Sequence, residues 1–134
     1  MVKPKQPRIS FSVINYSLCE SDDGKKDSKF AEYVIKGVDE KTSESWEFTS
    51  RYSMLREFYV SLKTEIPTLK ELHLPKFPTK KWFSNTDSSF LKRRCLKLSA
   101  FFQGLSSYEI IMNSKTMQEF ISESRDAADE EFVL

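Results

Sequence analysis

Apolar positions in the first third of the chain alternate with polar ones. Ile9, Phe11 and Val13 take every second place, and the phase then shifts to Ile14, Tyr16 and Leu18. Successive side chains of a strand point to opposite faces, so this pattern predicts a strand with a bulge or bend where the phase changes. The polar run Ser21-Asp22-Asp23-Gly24-Lys25-Lys26-Asp27 predicts a turn. Phe30 to Val38, rich in β-branched and aromatic residues, predicts a second strand, and the segment from Gly37 to Ser43 the next turn. Trp46 and Phe48 alternate in a third strand that ends near Ser50. Three strands with short connections predict an antiparallel meander.

Beyond Arg51 the period changes. Leu55, Phe58, Tyr59 and Leu62 fall on one helical face, with Ser53 as a candidate cap and Ile66-Pro67 as the stop. Pro67, Pro75 and Pro78 mark an extended loop over residues 68–84. Asn85-Thr86-Asp87-Ser88 is a helix-start signal, and Leu91, Cys95, Leu98, Phe102 and Leu105 form the buried stripe of the helix it opens. A break at residues 104–107 and a cap at Ser114 predict short final helices with Met117, Phe120 and Ile121 inward. The acidic residues after Arg125 show no packing face and are expected to fray. Strands first and helices afterwards give an α+β class: a three-stranded antiparallel sheet packed against a helical subdomain, one domain over 1–134 with its ordered core at about 8–124.

Composition narrows the function by exclusion. No apolar run approaches the length of a membrane span, and Met1-Val2-Lys3-Pro4-Lys5 lacks the apolar core of a secretory signal, so a cytoplasmic protein with reduced Cys19 and Cys95 is expected. With His73 the single histidine and only two cysteines, no metal site is expected; three glycines cannot supply a phosphate-cradling loop. No nucleophile stands in a recognisable motif, so an enzyme is not expected, and no catalytic residue or cofactor is nominated.

The net charge is only +1, but it is unevenly spread. Lys76, Lys80, Lys81, Lys92, Arg93, Arg94 and Lys97 are opposed by Asp87 alone, whereas Glu119, Glu123, Asp126, Asp129, Glu130 and Glu131 face Arg125 alone. Such a centre is either an ordinary solvated surface or a face for an anionic partner. Balanced overall charge and the lack of a nucleic-acid signature disfavour RNA or DNA. Arg51 offers a guanidinium fork for phosphate at a strand end where a helix opens. Tyr52 offers an apolar ring beside it. With Leu91, Cys95 and Leu98 inward, Arg94 lies one step around the helix, at the edge of the buried stripe and within reach of a pocket, while Arg93 is expected to be solvated or to touch the membrane. Trp82-Phe83 forms an apolar tip suited to a membrane interface, unless Trp82 packs back onto the core.

The order of these features resembles the PX (phox-homology) domain, a phosphoinositide-binding module, over nearly the whole chain. Arg51-Tyr52 opens the first helix, Pro75-Lys76-Phe77-Pro78-Thr79-Lys80 matches the proline spacing and lysine position of the family's loop, and Arg94 precedes the inward stripe. Lys76 stands where the commonest form has a second proline. The resemblance implies that Arg51 binds the 3-phosphate, Tyr52 stacks beneath the inositol ring, Lys80 approaches the 1-phosphate and Arg94 bonds the 4- and 5-hydroxyls. It implies membrane contact through Lys81, Trp82, Phe83 and Arg93, phosphatidylinositol 3-phosphate on endosomal membranes as the target, and a sorting-nexin-like role with trafficking proteins as partners. The rival reading is a protein-interaction module, with Pro75-x-x-Pro78 as a polyproline ligand or the sheet as a docking face.

Overall fold

A computed structural model describes residues 9–20, 29–80 and 86–132, with side chains to residue 129. Strands β1 (Ile9–Glu20), β2 (Lys29–Asp39) and β3 (Glu44–Arg51) form one antiparallel sheet in the order β1-β2-β3. The phase change has its expected cause: the β1–β2 register slips between Val13 and Asn15, so Ile14 is the extra residue of a bulge. Before it Phe11 and Val13 face the core; Ile14 itself and, beyond it, Leu18 are half-exposed, and Tyr16 is half-buried.

The β2–β3 turn is tighter than the sequence indicates. Gly37 belongs to the strand, and only residues 40–43 turn. The Asp39 carboxylate accepts the N–H groups of Lys41 and Thr42 at 3.0 and 3.4 Å, the Ser43 N–H closes on the Asp39 carbonyl at 2.8 Å, and Ser43 takes a left-handed φ of 63°. Gly37 is required by its opposite number in β3. A Cβ there would lie 2.5 Å from the Trp46 ring, which covers the glycine.

Helix α1 (Tyr52–Glu65) follows β3 with no intervening loop. Arg51, not Ser53, holds the N-cap position, and no side chain caps the first turn. Leu55, Phe58 and Leu62 are buried, and Ile66 ends the helix as expected. A 3-10 turn (Leu69–Glu71) unforeseen in the sequence precedes the extended stretch to Lys80. That stretch is held by the His73 N–H on the Tyr108 hydroxyl (3.1 Å) and by Pro75 and Leu74 crossing bare Gly104, where a Cβ would meet them at 3.1 and 3.2 Å.

Helix α2 (Ser88–Leu105) starts at Asp87, whose carboxylate accepts the Ser89 N–H at 3.0 Å. Its buried stripe is Leu91, Leu98, Phe101, Phe102 and Leu105, with Cys95 half-buried. The sheet and α2 meet where the bulge leaves Val13 main chain exposed: the Val13 N–H donates to Ser99 Oγ and Cys95 Sγ to the Val13 carbonyl. After α3 (Glu109–Met112), Ser114 Oγ accepts the Met117 N–H at 3.1 Å and opens α4 (Lys115–Phe132). The expected fraying after Arg125 is corrected: the backbone stays helical to Phe132, and Ala128 is buried. Arg125 lies 3.9 Å over Trp46 and within 3.5 Å of both Asp39 and Glu44, while Trp46 Nε1 donates to Ser124 Oγ at 3.0 Å. Phe11, Phe48, Phe58, Phe102 and Phe120 join sheet and helices through edge-on, tilted and stacked contacts. The architecture is the α+β arrangement of a three-stranded sheet packed on helices.

Candidate functional site

The site is assembled where β3 runs straight into α1 and the proline-bounded stretch passes in front of α2. Tyr52 is its hinge. Its hydroxyl donates to the Pro78 carbonyl at 2.7 Å, and its ring stacks obliquely on buried Phe77 at 5.7 Å. Phe77 in turn lies against Tyr59 at 4.6 Å and Phe101 at 5.2 Å. Burial pushes the Tyr52 phenol above its ordinary pKa, against the pull of the nearby Arg94 and Arg56 cations. These contacts fix the loop on α1. They also leave Pro78 buried with its carbonyl engaged, a poor posture for a polyproline ligand.

Arg94 is only 6% exposed. Its guanidinium lies between two rings, 3.8 Å over Tyr52 and 4.5 Å over Phe90, and Nη2 donates to the Thr79 carbonyl at 3.1 Å. Neither Nε nor the neighbouring buried hydroxyl of Tyr33 makes a hydrogen bond of good geometry among the described residues, and the two groups interact only loosely with each other. Burial raises the Tyr33 pKa, and the Arg94 charge opposes the rise. No carboxylate among the described residues pairs with Arg94. Buried cations are normally paired, so this one is held at a cost in the unliganded protein.

Arg51 is exposed at the N-cap of α1, its guanidinium 4.0 Å over the Phe30 ring at the start of β2. The uncapped first turn beside it leaves main-chain N–H groups available to an anion. A recess of about 540 Å³ opens on the exposed flank of α1, lined by Tyr52, Ser53, Arg56, Val60 and Lys80 among others. Thus Tyr52 touches Arg94 and shares the recess with Lys80, whereas the Arg51 side chain rests on Phe30 outside its lining. Arg93 is exposed on α2 beside Lys92 and Lys97. Lys81, Trp82 and Phe83 lie outside the described residues.

Arg56 was not singled out from the sequence. The signal was present: four residues after Tyr52 places it one turn further along the same helix face.

The sequence model of one protein family, PX domain, matches residues 38–124. No curated protein matches the chain. Among solved structures it is similar to a designed CISK-PX domain, with 26% identity over 82% of this chain and 95% of that one and a TM-score of 0.64. It is also similar to the mouse SNX19 PX domain with bound sulphate ion, with 20% identity over 87% of this chain and 98% of that one and a TM-score of 0.63. No helix among the described residues is long and apolar enough to cross a membrane. With the family match spanning most of the chain and the fold agreeing, the protein belongs to the PX domain family of phosphoinositide-binding, membrane-targeting modules.

Proposed function

We propose that the chain reads phosphatidylinositol 3-phosphate on endosomal membranes and brings trafficking partners there. The observation that carries this reading is Arg94: a buried guanidinium held against Tyr52 and Phe90, with no carboxylate paired to it among the described residues. A polar headgroup with a phosphate nearby supplies what that cation lacks. In this reading Arg94 bonds the 4- and 5-hydroxyls while Tyr52 walls the inositol ring. Lys80 meets the 1-phosphate, and Arg51 swings from Phe30 to hold the 3-phosphate together with the first-turn N–H groups of α1. The sulphate bound by the mouse SNX19 PX domain supports anion capture in a relative of the same fold. Exposed Lys76, Lys92, Arg93 and Lys97 add long-range attraction to an anionic leaflet, about 1 kcal/mol per nearby basic residue. Lys81, Trp82 and Phe83 then enter the interface.

The test is co-sedimentation with vesicles carrying each phosphoinositide in turn, at near-physiological salt. Selective binding of the 3-phosphate lipid is expected. Arg51→Ala, an exposed change that spares the core, is expected to cost about 2–5 kcal/mol, the usual loss for a broken charge pair, which is roughly 30-fold or more in affinity. Binding that follows total negative charge and ignores Arg51→Ala would overturn the headgroup reading. Trp82→Ala is expected to weaken vesicle binding more than binding of soluble headgroup. Equal loss on both would make Trp82 a structural residue.

A further inference from the structure

A second groove, also about 540 Å³, runs between α4 on one side and the end of β3 with α1 on the other. Its floor is aromatic: Phe48, Phe58 and Phe120, already in contact with one another through Phe120. Met54 stands at its wall with 57% of its surface exposed, an unbranched side chain that adapts to whatever lies against it. Its rim carries Glu57, Glu119 and Glu123. Lys115 also lines it, 3.8 Å from Glu119. Arg125 is turned away to Asp39 and Glu44, and neither Glu57 nor Glu123 has an ion-pair partner among the described residues. Exposed Asp126 and Asp129 continue the same sign along α4.

Thr49 and Ser50 both border the groove although they are consecutive in a strand. Adjacent strand residues point to opposite faces, so a groove touching both reaches the edge of β3. Within the described sheet β3 is an edge strand, paired with β2 alone. An edge presents main-chain donors and acceptors to an incoming extended chain.

We propose that this groove docks an extended, lysine- and arginine-rich segment of a partner protein. Its main chain lies along β3, its apolar side chains sit on the phenylalanine floor, and its cations meet Glu57, Glu119 and Glu123. The sign of the rim selects this occupant: the carboxylates repel an anionic lipid surface and attract a cationic peptide. The groove is separated from the recess beside Tyr52 by the α1 ridge of Glu57 and Ser61, which line both, so the proposal stands independently of headgroup reading.

The test titrates the isotope-labelled chain with a short peptide alternating lysine and valine, using its glutamate–valine counterpart as control, and follows backbone amide shifts by NMR. Saturable shifts confined to Thr49, Ser50, Met54 and the Lys115–Glu123 stretch are expected with the cationic peptide only. The pair Glu119→Lys and Glu123→Lys is expected to weaken binding at least tenfold. The pair Glu119→Gln and Glu123→Gln should fall between, with unchanged far-ultraviolet circular dichroism in both. No binding, shifts scattered over all acidic positions, or an affinity indifferent to charge reversal would overturn the proposal. So would concentration-dependent self-association abolished by the reversal, which would make the occupant a second copy through its basic α2 face.

Discussion

Two recesses of equal size, about 540 Å³ each, flank the exposed ridge of α1, and they differ in sign and in how their charges are held. On the acidic side Glu57, Glu119 and Glu123 stand in solvent on two helices. Such charges cost little to keep and specify little by themselves. On the basic side Arg94, behind the Tyr52 wall, is taken out of water, pressed between Tyr52 and Phe90, and tied to a loop carbonyl, with no carboxylate paired to it among the described residues. A fold selected for stability alone would place an apolar side chain there. The local rule is broken at a position that the proposed headgroup reading puts to use.

Arg94→Met presses hardest on that contrast. Methionine keeps the length and the contact with the rings but removes the charge. Headgroup binding is expected to fall by about 2–5 kcal/mol, as for loss of a desolvated charge contact. Thermal stability of the unliganded protein should hold or rise, because replacing a buried charge with an apolar group is often neutral or stabilising. Calorimetric melting and vesicle binding on one preparation check both halves. A large fall in melting temperature would instead make Arg94 a structural post between the loop and α2.

Gly37→Ala acts on the other side. The added methyl would meet the Trp46 ring at 2.5 Å, and that ring cannot easily yield: Arg125 lies over it, Phe11 sits edge-on at 5.9 Å, and Nε1 is bonded to Ser124. Overpacking of this kind costs about 1–3 kcal/mol, measurable by urea unfolding. Because Trp46 holds α4 to β3, hydrogen exchange should rise first in α4 and the acidic groove, with headgroup affinity nearly unchanged. Faster exchange confined to the β1–β2 hairpin would show that Trp46 does not anchor α4.

The sequence made some of this visible and hid the rest for physical reasons. Alternation and stripes are local signals, so the irregularity in β1 was legible from the phase change between Val13 and Ile14, the α2 stripe from the spacing of Leu91, Leu98, Phe102 and Leu105, and the start of α2 from Asn85-Thr86-Asp87-Ser88. Arg94 was placed at the edge of the stripe by the same periodicity. Its enclosure was hidden, since the rings that hold it come from α1 and from one turn back on α2. Gly37 read as a turn residue because glycine usually marks one; its reason stands in the neighbouring strand. Arg56 was missed because α1 was read for its buried face. The last turns of α4 were missed because Ala127 and Ala128 pack without the bulk that makes an apolar stripe stand out.

The smallest expected effect separates the two sides by pH. Glu65, at the end of α1, is exposed, yet its two carboxylate oxygens accept the N–H groups of Lys115 and Thr116, each at 2.7 Å. It thereby caps the first turn of α4, which forms one end of the acidic groove. Hydrogen bonds from Thr116, then from the Lys115 N–H, hold its pKa below the ordinary glutamate value of about 4.3. A carboxylate whose pKa is lower folded than unfolded adds stability that is complete above the unfolded pKa and disappears as pH falls through the folded one. Glu65→Gln, whose amide nitrogen cannot accept the second N–H, should therefore melt slightly below the wild type at pH 7. The gap should close as pH drops below 4 and the wild type loses the same interaction. Glu65 does not line the basic recess, so headgroup affinity at pH 7 should be the same in both proteins. A melting difference that persists undiminished at low pH would mean that Glu65 stabilises the α1–α4 corner by packing rather than by its charge.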